Sequence, residues 1–149
     1  MRRLVVAIVC AFGLLVVPEA KPAMAISNAS FDSQLRTLTN TERTKKSLKK
    51  LKFAACLDRY AQQQANRMAA EERMFHQDLK IVLRKCKAKT VGENVAHGFE
   101  SPKENMKAWM ASPGHRKNIL NPKFNRLGIG VARDTNGHSY TVQVFGRPR

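Results

Sequence analysis

Three histidines and one glutamate carry most of the chemistry this sequence could perform. His76, His97 and His115 lie in the middle of the chain, and Glu93 stands in the run Gly92-Glu93-Asn94-Val95. Two imidazoles and a carboxylate can ligate a divalent cation or move protons near neutral pH. Spacing alone does not assemble such a site. The chain has no His-Glu-x-x-His helix, no Cys-x-x-Cys pair, no glycine-rich phosphate loop and no Gly-x-Ser-x-Gly elbow. Each residue also has a structural reading. Glu93 and Asn94 could cap a helix or tie a loop to backbone amides. His115 could cap a helix end, and His138, beside an Asn-Gly turn, reads as solvated.

The elements that must position these residues follow from hydrophobic period. Phe31, Leu35 and Leu38 recur at helical spacing, which predicts a helix over Asp32 to Thr44. A lysine-rich run, Lys45 to Lys52, reads as an exposed connection with Leu48 and Leu51 turned inward. Its alternative is a basic amphipathic helix for membrane surfaces. Phe53, Leu57, Tyr60, Ala61, Gln64, Ala65, Met68 and Ala69 share one face of a second helix, expected to reach Arg73. Asp78 to Lys85 adds a short helical or irregular piece. Ser101 and Pro102 open another helix through Trp109, which Pro113-Gly114 is expected to end. Trp109 reads as core; Arg116 and Asn118 are expected to fasten the following loop. Leu127–Ala132 and Tyr140–Phe145 alternate as strands do, and Asn136-Gly137 between them signals a hairpin. Gly128 and Gly130 suggest a close backbone approach.

The N-terminus reads as an export leader. Met1-Arg2-Arg3 precedes an apolar run from Leu4 to Val17, too short to span a bilayer, and Ala23-Met24-Ala25 offers the small residues of a cleavage site. Cleavage is expected after Ala25, leaving residues 26–149 as one domain with no membrane-spanning stretch and an expected monomeric state. Of the three cysteines, Cys10 falls within the leader. Cys56 and Cys86 remain, an even pair that suggests a disulfide in an oxidising compartment.

Charge narrows the partners. The chain has 27 Lys and Arg against 11 Asp and Glu. Arg2, Arg3, Lys21 and Glu19 belong to the leader, so residues 26–149 hold 24 basic and 10 acidic side chains, a net of +14. Such a field attracts polyanions: anionic cell-wall polymers, acidic lipid headgroups or nucleic acid.

Several runs, taken in order, resemble one family. Asn40-Thr41-Glu42-Arg43, Gly92-Glu93-Asn94-Val95-Ala96, Trp109 through Leu120 (WMASPGHRKNIL) and Leu127-Gly128-Ile129-Gly130-Val131-Ala132 are similar to successive motifs of the CAP superfamily. That group includes cysteine-rich secretory proteins, antigen 5 and plant pathogenesis-related proteins, and the likeness is to its bacterial secreted members. It spans Phe31 to Phe145. The resemblance implies an α+β fold: a three-layer α–β–α sandwich with a central antiparallel sheet. It also implies a cleft in which His76, Glu93 and His115 take the places of two histidines and a glutamate. The second glutamate of eukaryotic members is replaced by Ser112. His76, Glu93 and His115 are thereby the expected ligands of a divalent metal, zinc foremost. The resemblance favours a non-enzymatic extracellular binding module over an enzyme, its basic surface meeting an anionic partner. The alternative is a metal-dependent hydrolase, a protease or nuclease, working through the same cleft.

Overall fold

One sheet has helices on both of its faces. The computed structural model describes residues 26–149; the expected leader and its cleavage after Ala25 lie outside the described residues. The elements run α1 (Asn28–Thr44), β1 (Lys52–Phe53), α2 (Ala55–Ala70), α3 (Leu79–Lys85), β2 (Ala88–His97), α4 (Pro102–Ala111), α5 (Pro113–Ile119), β3 (Arg126–Arg133) and β4 (Ser139–Pro148). The strand order is β1-β3-β4-β2. β2, β4 and β3 pair antiparallel, as expected, and the two-residue β1 joins β3 in parallel at one edge.

Strand alternation sorts the core into two halves. Leu127, Ile129 and Val131 of β3, with Ala96 and Phe145, pack against Phe31 and Leu35 of α1 and Met106 and Trp109 of α4. Val95, Tyr140, Val142 and Val144 face the other way, onto Leu57, Ala61, Ala65 and Met68 of α2 and Val82 of α3. This is the α–β–α sandwich that the resemblance implied.

Several boundaries differ from expectation for identifiable reasons. α1 starts at Asn28 because the Ser27 hydroxyl accepts the Ser30 amide at 3.2 Å and caps it. α2 starts only at Ala55, since Phe53 pairs with Leu127 in the sheet. Pro113-Gly114 does not end a helix; it opens α5. Proline lacks only an N–H that a first turn leaves unbonded, and Ser112, in extended conformation, separates α5 from α4. The segment around Glu93, expected as a loop or cap, is strand β2. Of the lysine-rich run, Leu51 is buried and Leu48 half-buried, while Lys45, Lys46, Lys49, Lys50 and Lys52 are exposed.

The disulfide Cys56–Cys86 is formed, with Cα atoms 5.6 Å apart. It ties the start of α2 to the residue capping α3. The connection carrying His76 therefore sits at the opposite end of this helical pair.

Candidate functional site

Glu93 lies on the outer strand of the sheet, with its side chain fully shielded from solvent. Its Oε1 accepts from His76 Nδ1 at 2.8 Å and from the Gln77 amide at 3.2 Å, and Oε2 accepts from the Gln77 side-chain amide. One carboxylate thus fixes the α2–α3 connection onto β2. Further ties hold the same connection. The buried Gln64 donates to Phe75 O at 2.6 Å, and Arg73 stacks 4.4 Å over the Phe75 ring. His76 itself is largely exposed, so its second nitrogen stays open to solvent.

His115 approaches from α5, on the other side of β2. It is half-buried, and burial together with the nearby His76 charge holds its pKa below the ordinary 6.5. Ser112 is half-buried beside it, and its hydroxyl has no hydrogen-bond partner among the described residues. Val95, Ala96, His97, Phe99, Ala108, Trp109, Ser112, His115 and Met74 line a groove of about 310 Å³. The groove is mostly apolar, and Met74 stands half exposed at its side.

The expected structural residues divide in role. Trp109 is buried and its indole N–H donates to Val95 O at 3.2 Å. Asn118 donates to Glu93 O at 3.0 Å and to Asn94 Oδ1 at 2.9 Å. An outward carbonyl of an edge strand is thereby capped by a side chain, which protects that edge from pairing with another chain. Asn94 continues inward: it donates to His115 O and to Gln143 Oε1, and Gln143 donates to Thr39 Oγ1. This chain of buried amides runs from α5 through the sheet to α1, and sequence reading found only its outer half. Arg116 is exposed and fastens nothing among the described residues. Arg43 does that work. It is buried and donates to Lys49 O at 2.9 Å, Ile119 O at 2.8 Å, Asn121 O at 3.0 Å and Phe124 O at 3.3 Å.

His76, Glu93 and His115 surround one edge of the sheet, but their donor atoms do not converge as a ligand set. Among the described residues, the trio of His, Cys, Asp or Glu side chains whose donor atoms lie within 4.8 Å of one another is His97, Asp134 and His138. As placed, Glu93 serves His76 and Gln77 with both oxygens.

Comparison with known proteins gives the family. The family model described as "CAP: Cysteine-rich secretory protein family" matches residues 36–145. The chain belongs to this family. The YkwD protein of Bacillus subtilis is 36% identical over 128 residues, 81% of this chain and 49% of YkwD. A cysteine-rich secretory protein from Staphylococcus aureus superposes with a TM-score of 0.71 at 30% identity, over 80% of this chain and 39% of that one. An outer surface protein of Borrelia burgdorferi shares the fold with a TM-score of 0.77 at 20% identity, over 83% of this chain and 97% of its own. An extracellular SCP-domain protein of Bacillus anthracis, 27% identical with a TM-score of 0.72, matches over 80% of this chain and 41% of its own length. The chain thus spans half or less of the length of YkwD and of the staphylococcal and anthrax proteins. No helix among the described residues is long and apolar enough to cross a membrane.

Proposed function

We propose that this chain is exported by residues 1–25, and that residues 26–149 form a single CAP domain acting outside the cell as a binding module for anionic polymers. One observation carries the reading: a buried arginine ties together two segments that bear exposed lysines. Arg43 binds the carbonyls of Lys49 on one segment and of Ile119, Asn121 and Phe124 on the other. Lys46, Lys49 and Lys50 of the first, and Lys117 just before and Lys123 within the second, are all exposed. None of these five has a carboxylate partner among the described residues, whereas the neighbouring Lys45 pairs with Glu42 at 2.6 Å. Unpaired cations held on a fixed framework suit a polyanion and gain from counterion release.

The test is titration of the purified protein with inorganic polyphosphate at increasing NaCl. Log affinity falls linearly with log salt, and Lys49→Glu with Lys50→Glu weakens binding by about tenfold or more, while His76→Ala retains it. Affinity that ignores salt and vanishes with His76→Ala refutes the reading. Export is checked separately, by N-terminal sequencing of the protein from culture medium, expected to begin at Ile26.

The half-buried, readily neutral His115 beside an apolar groove favours one second reading, a hydrolase working through the His76–Glu93–His115 cleft. It requires turnover of a peptide or nucleic acid that chelator and Glu93→Gln abolish. Absence of turnover across a broad panel with zinc supplied eliminates it.

A further inference from the structure

A second group of ligating side chains sits away from the Glu93 carboxylate, where β2 ends and the β3–β4 hairpin turns. His97 closes β2, Asp134 opens the turn and His138 follows it. One donor atom from each lies within 4.8 Å of the other two. The His97 and His138 rings meet edge to face at 5.8 Å between centroids, and His138 Nδ1 is 3.2 Å from Asp134 Oδ2. We propose that His97, Asp134 and His138 form a binding site for a divalent cation of the zinc class.

The surroundings of these residues resemble those of a supported metal site. Asp134 Oδ1 accepts the backbone amides of Asn136 and His138, each at 2.9 Å. That fixes the carboxylate and leaves Oδ2 as the oxygen directed to His138. His97 packs on the buried Tyr140 ring at 4.4 Å, which limits its rotation. Ligands oriented by outer partners in this way lose less on binding. The turn itself is fixed by the Gly137 amide on Asp134 O at 3.0 Å and by the Asp134 amide on His138 O at 3.1 Å. Glu72 adds a second carboxylate nearby, accepting from the Thr135 hydroxyl at 3.2 Å. The basic neighbour, Arg133, is engaged by Gly137 O and Ile26 O.

The donor set selects the metal. Two imidazoles and one carboxylate suit zinc, at about 2.0–2.2 Å per ligand, and are too few and too nitrogen-rich for calcium. His138, exposed in the turn, can close the remaining gap by side-chain rotation. Three protein ligands leave a coordination position open to water or another donor. His97 also lines the apolar groove, so the metal would stand at its rim.

The experiment is calorimetric titration of ZnCl₂ into the purified protein, wild type beside His97→Ala, His138→Gln, Asp134→Asn and His76→Ala. The first three variants weaken zinc binding by about tenfold or more, the scale seen when the ligands or partners of a metal site are removed. His76→Ala leaves this affinity unchanged. Cobalt substitution supplies a second readout: the visible bands of the bound ion disappear in His97→Ala and persist in His76→Ala. Circular dichroism confirms that each variant is folded. Absence of zinc binding to wild type overturns the proposal, as does binding that survives both His97→Ala and His138→Gln. Two zinc sites, of which His97→Ala removes one, support it.

Discussion

His76 Nδ1 lies 2.8 Å from Glu93 Oε1, joining an exposed imidazole to a carboxylate shielded from solvent. The two partners depend on this contact unequally. Glu93 also holds the Gln77 backbone amide and side chain, so removing it strips several donors at once. Glu93→Ala should lower stability by about 1–3 kcal/mol, the cost of leaving shielded polar groups unpaired. His76→Ala, at an exposed position, should cost well under half as much. Urea denaturation of both variants checks the order. Equal losses would show that Glu93 does not organise the α2–α3 connection.

Arg43 is a cation without a carboxylate partner among the described residues, held by backbone oxygens. Burial lowers its pKa from the usual arginine value, yet a guanidinium stays protonated at any physiological pH. Its three nitrogens reach carbonyls on two separate segments, a fork that lysine cannot reproduce. Arg43→Met should therefore destabilise by about 2–4 kcal/mol, and Arg43→Lys should recover little of that. It should also weaken polyphosphate binding, because the two lysine-bearing segments lose their common tie. A Lys variant with wild-type stability in urea would contradict this account.

What could be read in advance depended on which interactions leave a periodic trace. The faces of α1 and α2, the hairpin and the Cys56–Cys86 pair were legible because burial at fixed spacing, a turn dipeptide and an even cysteine count are local signals. β2 was not. Its residues Glu93 and Asn94 are polar, and the rule that polar residues lie outside fails for a strand whose partners are other side chains. Gln143 and Thr141 of β4 are polar too, yet both are fully buried because helices cover both sheet faces. The cleft residues His76, Glu93 and His115 were found through family motifs, and composition alone would not have joined them. His97 and His138 share no motif. Only the pairing of β2 with β4, which sets His97 opposite Tyr140, brings them together.

The glycines of β3 measure how closely α2 lies on the sheet. A Cβ on Gly130 would stand 2.3 Å from the Ala61 carbonyl carbon and oxygen, and one on Gly128 would stand 2.1 Å from the Asp58 amide nitrogen. Both obstacles are helix backbone and cannot rotate away. The close approach serves the open edge of β3, where Asp58 Oδ1 accepts the Ile129 amide and Gln62 pairs with both backbone groups of Val131. Gly130→Ala should cost about 3 kcal/mol or more through overpacking. Gly114, in α5, has nothing within 4 Å of an added Cβ, so Gly114→Ala should stabilise by about 0.5–1 kcal/mol. Thermal melts of the pair test the contrast, and a Gly130→Ala melt near wild type would show that α2 can withdraw.

His115 gives stability a pH dependence whose sign can be fixed. Burial, and then the His76 charge, hold its folded pKa below the ordinary value of 6.5. Between the folded and unfolded values, the unfolded chain binds more protons than the folded one, so stability rises with pH across that window. The contribution is complete above about pH 6.5 and is lost as pH falls through the lower, folded value. Wild type should thus melt at a lower temperature at about pH 5 than at about pH 7.5. His115→Gln, which cannot titrate, should reduce that difference, and its relative stability should improve on acidification. The direction matters for the cleft as well. A neutral His115 can accept a proton or a hydrogen bond from whatever enters the groove, whereas its protonated form can only donate. Melting curves of the two proteins at both pH values decide it, and a His115→Gln profile parallel to wild type would remove His115 as the group responsible.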